Sequence, residues 1–506
     1  MNDLFWPQEK TLTSKKEFLT SKKELRPHQV RAIALIRQSF GKGLRRVVCQ
    51  MPTGGGKTLT ATKIIEMSLA KGHRVIFTAP AISLIDQTVD AFEAEGITGI
   101  GVMQAKHPRT NRMARVQIAS VQTLARRDIP PAALIIQDEC HISSDVMNRL
   151  MVDRPDAFFI GLSATPWATG MGLRWQDLVI PITMQELIDQ GYLSQFTAYA
   201  PDVPDLSGVR TIGGDYAEGQ LADLMGKAKL VGNVVETWLA QGENRPTLCF
   251  AVNRAHAALL QDQFQQAGVS AGYVDANTDL IERRLINSRF RAGEVRVICS
   301  VRTMITGVDL PVSCIIDAAP TKSLIMHVQK IGRGLRVNPG SEDCIILDHA
   351  GNSLRLGLVT DIHQGTLDTT QPGEKRREEL AVNLPKPCVV CGVVHTGLTC
   401  PGCGHERKAV SRIGDASGVE AADGQLVEIT GKVKTPTMAD KQAFWSMALR
   451  VDRDRGKGGR MAKALYKGKF GTWPRGLEDR QEGPDHAFMN YVKSRQIAYA
   501  KSRGAR

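Results

Sequence analysis

Met51-Pro52-Thr53-Gly54-Gly55-Gly56-Lys57-Thr58 follows the apolar run Val47-Val48-Cys49 and precedes apolar residues at helical spacing, Leu59, Ile64, Ile65, Met67 and Leu69. The pattern predicts a strand, a glycine-rich turn and a helix. A turn of this kind can cradle phosphates. Its glycines let backbone N–H groups converge on phosphate oxygens, and the helix N-terminus adds partial positive charge. Lys57 would reach the β- and γ-phosphates, and the Thr58 hydroxyl could ligate Mg²⁺. Met51 stands where the usual pattern has its first glycine.

Downstream, the apolar run at residues 134–137 ends in Asp138-Glu139-Cys140-His141. In an open parallel sheet, ligands bind beyond the carboxyl ends of the strands, which would bring these acids beside the glycine turn. Asp138 is then a candidate Mg²⁺ ligand, and Glu139 a candidate for orienting or deprotonating an attacking water. A helix N-terminus that favours two acids is the alternative reading of the tetrapeptide.

Around these motifs continuous apolar runs alternate with helical periodicity, as buried parallel strands do. The expected fold class is α/β, with two tandem parallel-sheet domains: residues 1–195, carrying the phosphate loop, and residues 220–365, without one. A charged, Pro- and Gly-containing linker is expected at 366–385, a cysteine-bearing module at 386–406, and a basic segment at 431–506.

The 506 residues suffice for about three domains. The longest apolar stretches, such as residues 75–85, fall short of the roughly 18 residues that a membrane helix needs, and the first residues lack a signal-peptide pattern. These features predict a cytoplasmic protein with no membrane partner. A net charge of +13 points to an anionic polymer as partner. Residues 431–506 hold 18 Lys and Arg against 7 Asp and Glu, so +11 of that charge falls there. Aromatic and basic residues interleave in this segment, among them Trp445, Arg450, Lys463, Tyr466, Lys469, Phe470, Trp473 and Arg475. Such a set could grip phosphates and stack bases, or its aromatics could pack a small helical core.

Six of the ten cysteines are scattered, mostly within apolar runs, and read as core thiols. The other four form two Cys-x-x-Cys-Gly knuckles, Cys388 with Cys391 and Cys400 with Cys403. Four thiolates at this spacing can surround one structural Zn²⁺; a disulfide pair is the alternative. His395 and His405 read as surface residues rather than ligands.

The phosphate loop, Asp138-Glu139-Cys140-His141, Ser163-Ala164-Thr165, Thr306-Gly307-Val308-Asp309 and Gln329-Lys330-Ile331-Gly332-Arg333-Gly334-Leu335-Arg336 occur in the order of the motifs of superfamily-two helicases. The chain resembles the DEAD/DEAH group of that superfamily, and within it the branch of XPB, restriction-enzyme motor subunits and RadD. The run Asp348-His349-Ala350-Gly351-Asn352 and the following cysteines resemble the last of these. The resemblance covers about residues 25–352, and the tail is similar to C-terminal segments of phage-encoded helicases.

The resemblance implies two RecA-like domains with ATP and Mg²⁺ in the cleft between them. It implies that Arg26 and Gln29 contact adenine, and that Gly54, Gly55, Gly56, Lys57 and Thr58 hold phosphates and Mg²⁺ together with Asp138. It places Gly307, Asp309 and Gln329 at the nucleotide from the second domain, with Arg333 and Arg336 reaching the γ-phosphate. Ser163, Thr165 and His141 would couple hydrolysis to movement, and Pro80, Gln87, Arg302 and Thr303 lie near motifs that touch the nucleic-acid backbone. Read alone, Gln29 and Asp309 could be helix caps and Ser163-Ala164-Thr165 a strand-end turn.

The function this implies is an ATP-dependent helicase or translocase that acts on nucleic acid, DNA ahead of RNA, with a replication or repair protein as a possible partner for the C-terminal segment. An ATPase that remodels or clamps nucleic acid without separating strands is the alternative. A clamp that only binds need not keep Lys57, Glu139 and Arg336, and no carboxylate-rich metal motif suggests a nuclease.

Overall fold

Val-, Ile- and Phe-rich runs that are buried on both faces can be accommodated only inside a sheet covered by helices. In the computed structural model these runs build two such sheets. The structure describes residues 23–104, 107–200, 204–226, 228–304, 310–338, 341, 343–371, 384–406, 437–470, 472–485, 488–489 and 491–492. The chain divides into two compact units, residues 1–410 and 411–506.

In the first unit, β1 (Arg46–Gln50), β2 (Val75–Ala79), β3 (Ile100–Met103), β4 (Val116–Ser120), β5 (Leu134–Asp138), β6 (Phe158–Ser163) and β7 (Asp177–Val179) form a parallel sheet in the order β3-β4-β2-β5-β6-β1-β7. A second parallel sheet, of order β12-β13-β11-β14-β15-β8, takes β8 (Gln195–Tyr199) together with β11 (Thr247–Phe250), β12 (Ala271–Val274), β13 (Val297–Ser300), β14 (Cys314–Asp317) and β15 (Asp343–Leu347). A small hairpin of β9 (Thr211–Ile212) and β10 (Asp215–Tyr216) lies between β8 and β11 in the chain. Because β8 pairs with β15, the second sheet draws on residues upstream of 220. The pattern is α/β with parallel sheets, consistent with two RecA-like domains.

The order of strands fixes the site. β5, β6 and β1 are neighbours, so their carboxyl ends place Asp138, Ser163 and Met51 side by side. At about 4.8 Å per strand, the acids at the end of β5 stand roughly 10 Å from the glycine turn at the end of β1. Met51 N–H donates to the Ser163 carbonyl (2.9 Å) and Cys140 N–H to that of Leu162 (3.1 Å), which ties the three ends together.

After the second sheet the chain returns to the first domain. Leu367 packs against that domain's Met171 and Trp175 cluster. Asp368 accepts Gly170 N–H at its side chain (2.9 Å) and Gly172 N–H at its carbonyl (2.7 Å). A Cβ on Gly172 would meet Thr369 Cγ2 at 2.7 Å and the Asp368 carbonyl oxygen at 3.1 Å. The beginning of the linker at residues 366–385 is thus a strap seated on the first domain.

In the second unit, helix Met438–Asp454 opens with a capping box in which Thr437 Oγ1 accepts Asp440 N–H (3.2 Å) and Asp440 accepts Thr437 N–H (2.9 Å). A glycine turn leads to helix Arg460–Phe470, whose start is held by Asp452, the acceptor of Gly459 and Ala462 N–H groups (2.6 and 2.8 Å). The Phe444 ring meets Phe470, Phe488 and Tyr491 at 5.2, 4.9 and 5.6 Å, and Trp445 Nε1 donates to Asp479 (3.0 Å). Most aromatics of the basic segment therefore pack a small core. Among the described residues no helix is long and apolar enough to cross a membrane.

Gly172→Val forces its side chain into the strap and should destabilise the protein by about 1–3 kcal/mol, the cost of overpacking a filled site. Thermal denaturation and limited proteolysis near residue 370 check this. An unchanged melting temperature with no new cleavage would show that the strap is not seated.

Candidate nucleotide site and metal centre

The turn after β1 takes its shape from two left-handed glycines, Gly54 (φ 83°) and Gly56 (φ 85°). Gly56 has a second constraint, since a Cβ there would stand 2.2 Å from Gln29 Nε2. Gln29 donates to the Gly56 carbonyl (3.1 Å) and accepts Arg26 N–H (2.8 Å), so one side chain fixes both the loop and the start of the helix Pro27–Gly41. His28, which the motif reading did not single out, is buried with Nε2 2.8 Å from the Gly55 carbonyl. Burial lowers its pKa, which favours the neutral ring. Lys57 opens the helix Lys57–Ala70, and its ammonium lies 3.3 Å from the Met51 carbonyl.

Tyr192 was also missed. The Arg26 guanidinium lies 4.4 Å over its ring, and His28 meets that ring edge-on at 5.5 Å. Tyr192 is more than 160 residues downstream in a connecting segment, where no local pattern marks it. The same segment bridges the domains: Leu193 pairs with Arg336, and Ser194 N–H donates to the Leu335 carbonyl (2.8 Å).

At the end of β5 Glu139 has a positive φ of 47°, uncommon for a residue with a side chain. Its Oε2 is buried and has no hydrogen-bond partner in the described structure. The Asp138 carboxyl is pushed well above the usual carboxylate range, first by burial and then by the Glu139 charge, with Lys57 opposing. Two adjacent acids at a buried strand end, beside a lysine and a glycine-rich turn, suit a divalent cation and phosphates. The unmet Glu139 oxygen and the glycine cradle both fit the Mg²⁺–ATP that the motif order implies.

Beside Glu139 a line of polar groups starts at His141 and leads toward the second domain. His141 Nδ1 is 3.4 Å from Glu139 Oε2 and 2.9 Å from Ser163 Oγ, the better-placed partner. Ser163 Oγ accepts Thr165 N–H (3.0 Å), and Thr165 Oγ1 accepts from Gln329 Nε2 (3.4 Å). Gln329 lies on the helix Leu324–Ile331 of the second domain. A Cβ on Gly332 would stand 3.2 Å from Thr53 Cβ, and one on Gly54 3.8 Å from Arg336 Cγ. The structure thus brings Lys57, Asp138, Glu139, His141, Ser163, Thr165, Gln329 and Arg336 to one cleft. Arg333 is buried next to them in the chain. Gly307 and Asp309 lie outside the described residues.

The helix that carries Gln329 is anchored from behind. Lys330, buried between Gln329 and Gly332 in the chain, pairs with Asp317 (2.5 Å) and donates to the Ala319 carbonyl (2.9 Å). Asn352 Nδ2 donates to the other Asp317 oxygen (2.8 Å). Both partners fall in motifs that the sequence marks, but the pairing itself is a long-range fact.

Separately, the sulfurs of Cys388, Cys391, Cys400 and Cys403 all lie within 4.8 Å of one another. The closest pairs stand at 3.5 and 3.7 Å. Sulfurs tetrahedral about Zn²⁺ at 2.3 Å would be about 3.8 Å apart, so the cluster is compatible with a zinc module. His395, expected at the surface, is buried in the hairpin strand Val394–His395.

Residues 22–168 match the family described as type III restriction enzyme, res subunit, and residues 227–338 match the helicase conserved C-terminal domain. A 51.5 kDa protein of a Lactococcus phage is 26% identical over 364 residues, 71% of this chain and 77% of that protein. A Saccharomyces cerevisiae protein named as an ATP-dependent helicase, IRC3, is 29% identical over 370 residues, 66% of this chain but only 52% of its own length. The chain therefore spans about half of that relative. A fragment of an HsdR subunit of a type I restriction enzyme from Vibrio vulnificus YJ016 shares the fold at a TM-score of 0.53 and 17% identity, over 70% of this chain and 69% of the fragment. With both domains matched in order, the chain belongs to the superfamily-two helicases of the restriction-motor type, a class of ATP-hydrolysing enzymes.

Proposed function

We propose that the chain is an ATP- and Mg²⁺-dependent motor that moves along nucleic acid, DNA ahead of RNA, and unwinds or remodels it. The observation that carries this is the polar line from His141 through Ser163 and Thr165 to Gln329, because it starts 3.4 Å from the candidate water-positioning acid Glu139 and reaches the second domain. The restriction-enzyme description of the matching N-terminal family favours DNA.

Gly54 to Lys57 and Thr58 would hold the phosphates, Thr58 and Asp138 the Mg²⁺, and Arg26, Gln29 and Tyr192 would face the base. Bound Mg²⁺–ATP supplies the phosphoanhydride whose cleavage drives movement. Glu139 accepts the proton of the attacking water or holds that water in line. Arg336, set beside the phosphate loop by the Leu193 pairing, offers charge stabilisation from the second domain, with Arg333 next to it. Loss of that contact would release Gln329 from Thr165 and let the cleft open, and repeated closure turns alternating grip into movement.

The four cysteines are proposed to hold a structural Zn²⁺. Their hairpin continues the second domain through the pairing of Tyr199 with Val393, and Val390 N–H donates to Cys388 Sγ (3.4 Å). The metal would keep this hairpin on β8. The basic C-terminal unit is proposed as an accessory contact to nucleic acid.

ATPase rates with single-stranded DNA, duplex, forked DNA and RNA, followed by strand displacement on the best activator, test the assignment; no stimulation by any of the four would sink it. Arg336→Ala should keep ATP-analogue affinity within a few-fold and lose about 10³ or more of the stimulated kcat, since a charge-stabilising finger acts in the transition state. Lys57→Ala should weaken analogue binding as well. If Arg336→Ala retains near-wild-type stimulated turnover, the finger is assigned wrongly.

Metal analysis of the purified protein should find about one zinc per chain, and Cys388→Ser should lose it while ATP-analogue binding persists. A metal-free, fully folded preparation would contradict the zinc assignment.

A further inference from the structure

Among the described residues, the aromatics of the C-terminal unit pack in or against its core with one exception. Trp473 is 52% exposed, and the Lys467 ammonium sits 4.4 Å from its ring centroid. It lies in the least acidic part of the chain's basic segment, for between Arg455 and Gly476 there are seven Lys or Arg and no Asp or Glu.

The acids close to this stretch are engaged elsewhere. Asp452 is buried and holds the start of the second helix, Asp454 pairs with Arg450, and Glu478 pairs with Arg480. No ion pair joins any of the seven bases to a described acid. Cations that are exposed, close together and uncompensated repel one another, and a polyanion relieves that repulsion.

Their placement is ordered. On helix Arg460–Phe470, the exposed Arg460, Lys463 and Lys467 recur at helical spacing and share one face within about 60°, over a rise of about 10 Å. Ala464, the exposed residue among them, is small, so a backbone can approach closely. The opposite side carries Ala462, Leu465 and Tyr466 into the core, so the basic face is fixed by packing. The contact between Lys467 and Trp473 joins the end of this row to the exposed ring.

We infer that this face, Arg460, Lys463 and Lys467 with Trp473 at its end, binds single-stranded nucleic acid, the three cations on successive phosphates and the indole on an unpaired base. An exposed ring can stack on a base only where the base is unstacked from its own duplex, which selects single strand over double. An amphipathic membrane contact would need an apolar stripe beside the cations, whereas the apolar side of this helix is buried. The inference rests on the reading of the C-terminal unit as a nucleic-acid contact and is independent of ATP hydrolysis.

The test uses the full chain without nucleotide, with fluorescence anisotropy on a labelled oligo-dT and on a duplex of equal length across a salt series. Trp473→Ala should weaken oligo-dT binding by roughly 5- to 150-fold, the range of one lost base stack, and leave duplex affinity nearly unchanged. Trp473→Phe should restore much of it. Arg460→Gln with Lys463→Gln should lower the salt slope for oligo-dT by about 1.4, two contacts at about 0.7 each. Matching melting temperatures confirm that the variants are folded.

Unchanged oligo-dT affinity in both Trp473→Ala and the double variant overturns the inference. So does an equal loss on duplex and oligo-dT in Trp473→Ala. A chain that hydrolyses no ATP would sink the motor reading and leave this binding measurement intact.

Discussion

Two neighbouring carboxylates at the end of a buried strand repel each other in a place where water can do little to separate them. Asp138 and Glu139 are in that position, and much of the first domain can be understood as what makes the position tolerable. Lys57 lowers the cost from one side, His141 stands within 3.4 Å on the other, and the glycine turn leaves room for a cation and phosphates in front. On the proposed reading, a site so arranged would be better satisfied with Mg²⁺–ATP bound, and its state would then depend on the nucleotide, which a motor requires.

That dependence is useful only if it reaches the second domain, and here packing matters as much as polarity. Gly332 approaches Thr53 too closely for a larger residue to fit without movement, while Gln329 meets Thr165 from the same helix. The helix is in turn held by the buried Lys330–Asp317 pair and by Asn352. A buried ion pair is weak support for stability but a strong constraint on geometry, because breaking one partner leaves an uncompensated charge. It makes the helix move as part of the second domain rather than alone. The segment with Tyr192 and Leu193, and the strap at Asp368, give the domains two further points of attachment.

Much of this was legible in the sequence because the motifs are local. A strand, a glycine turn and a helix can be read from neighbouring residues, and so can Asp138 to His141 or the two cysteine knuckles. The omissions have physical causes. Strands β3 and β7 are only four and three residues long, and β8 is an edge strand of mixed burial, so none presents a long apolar run. His28 lies within a quoted motif, but its role depends on the Gly55 carbonyl 27 residues away. Tyr192 and the seat of the strap depend on contacts that only the folded chain creates. In the tail, composition allowed either packing or stacking; the structure places Phe444, Trp445 and Tyr466 in the core and leaves Trp473 outside.

The central claim is that the two domains communicate through one polar line, whose crossing point is the contact between Thr165 and Gln329. A double-mutant cycle on nucleic-acid-stimulated kcat, with Thr165→Val, Gln329→Ala and both together, measures that contact directly. The account predicts strong non-additivity, with the double variant losing little more than either single one. Independent, additive losses would contradict it.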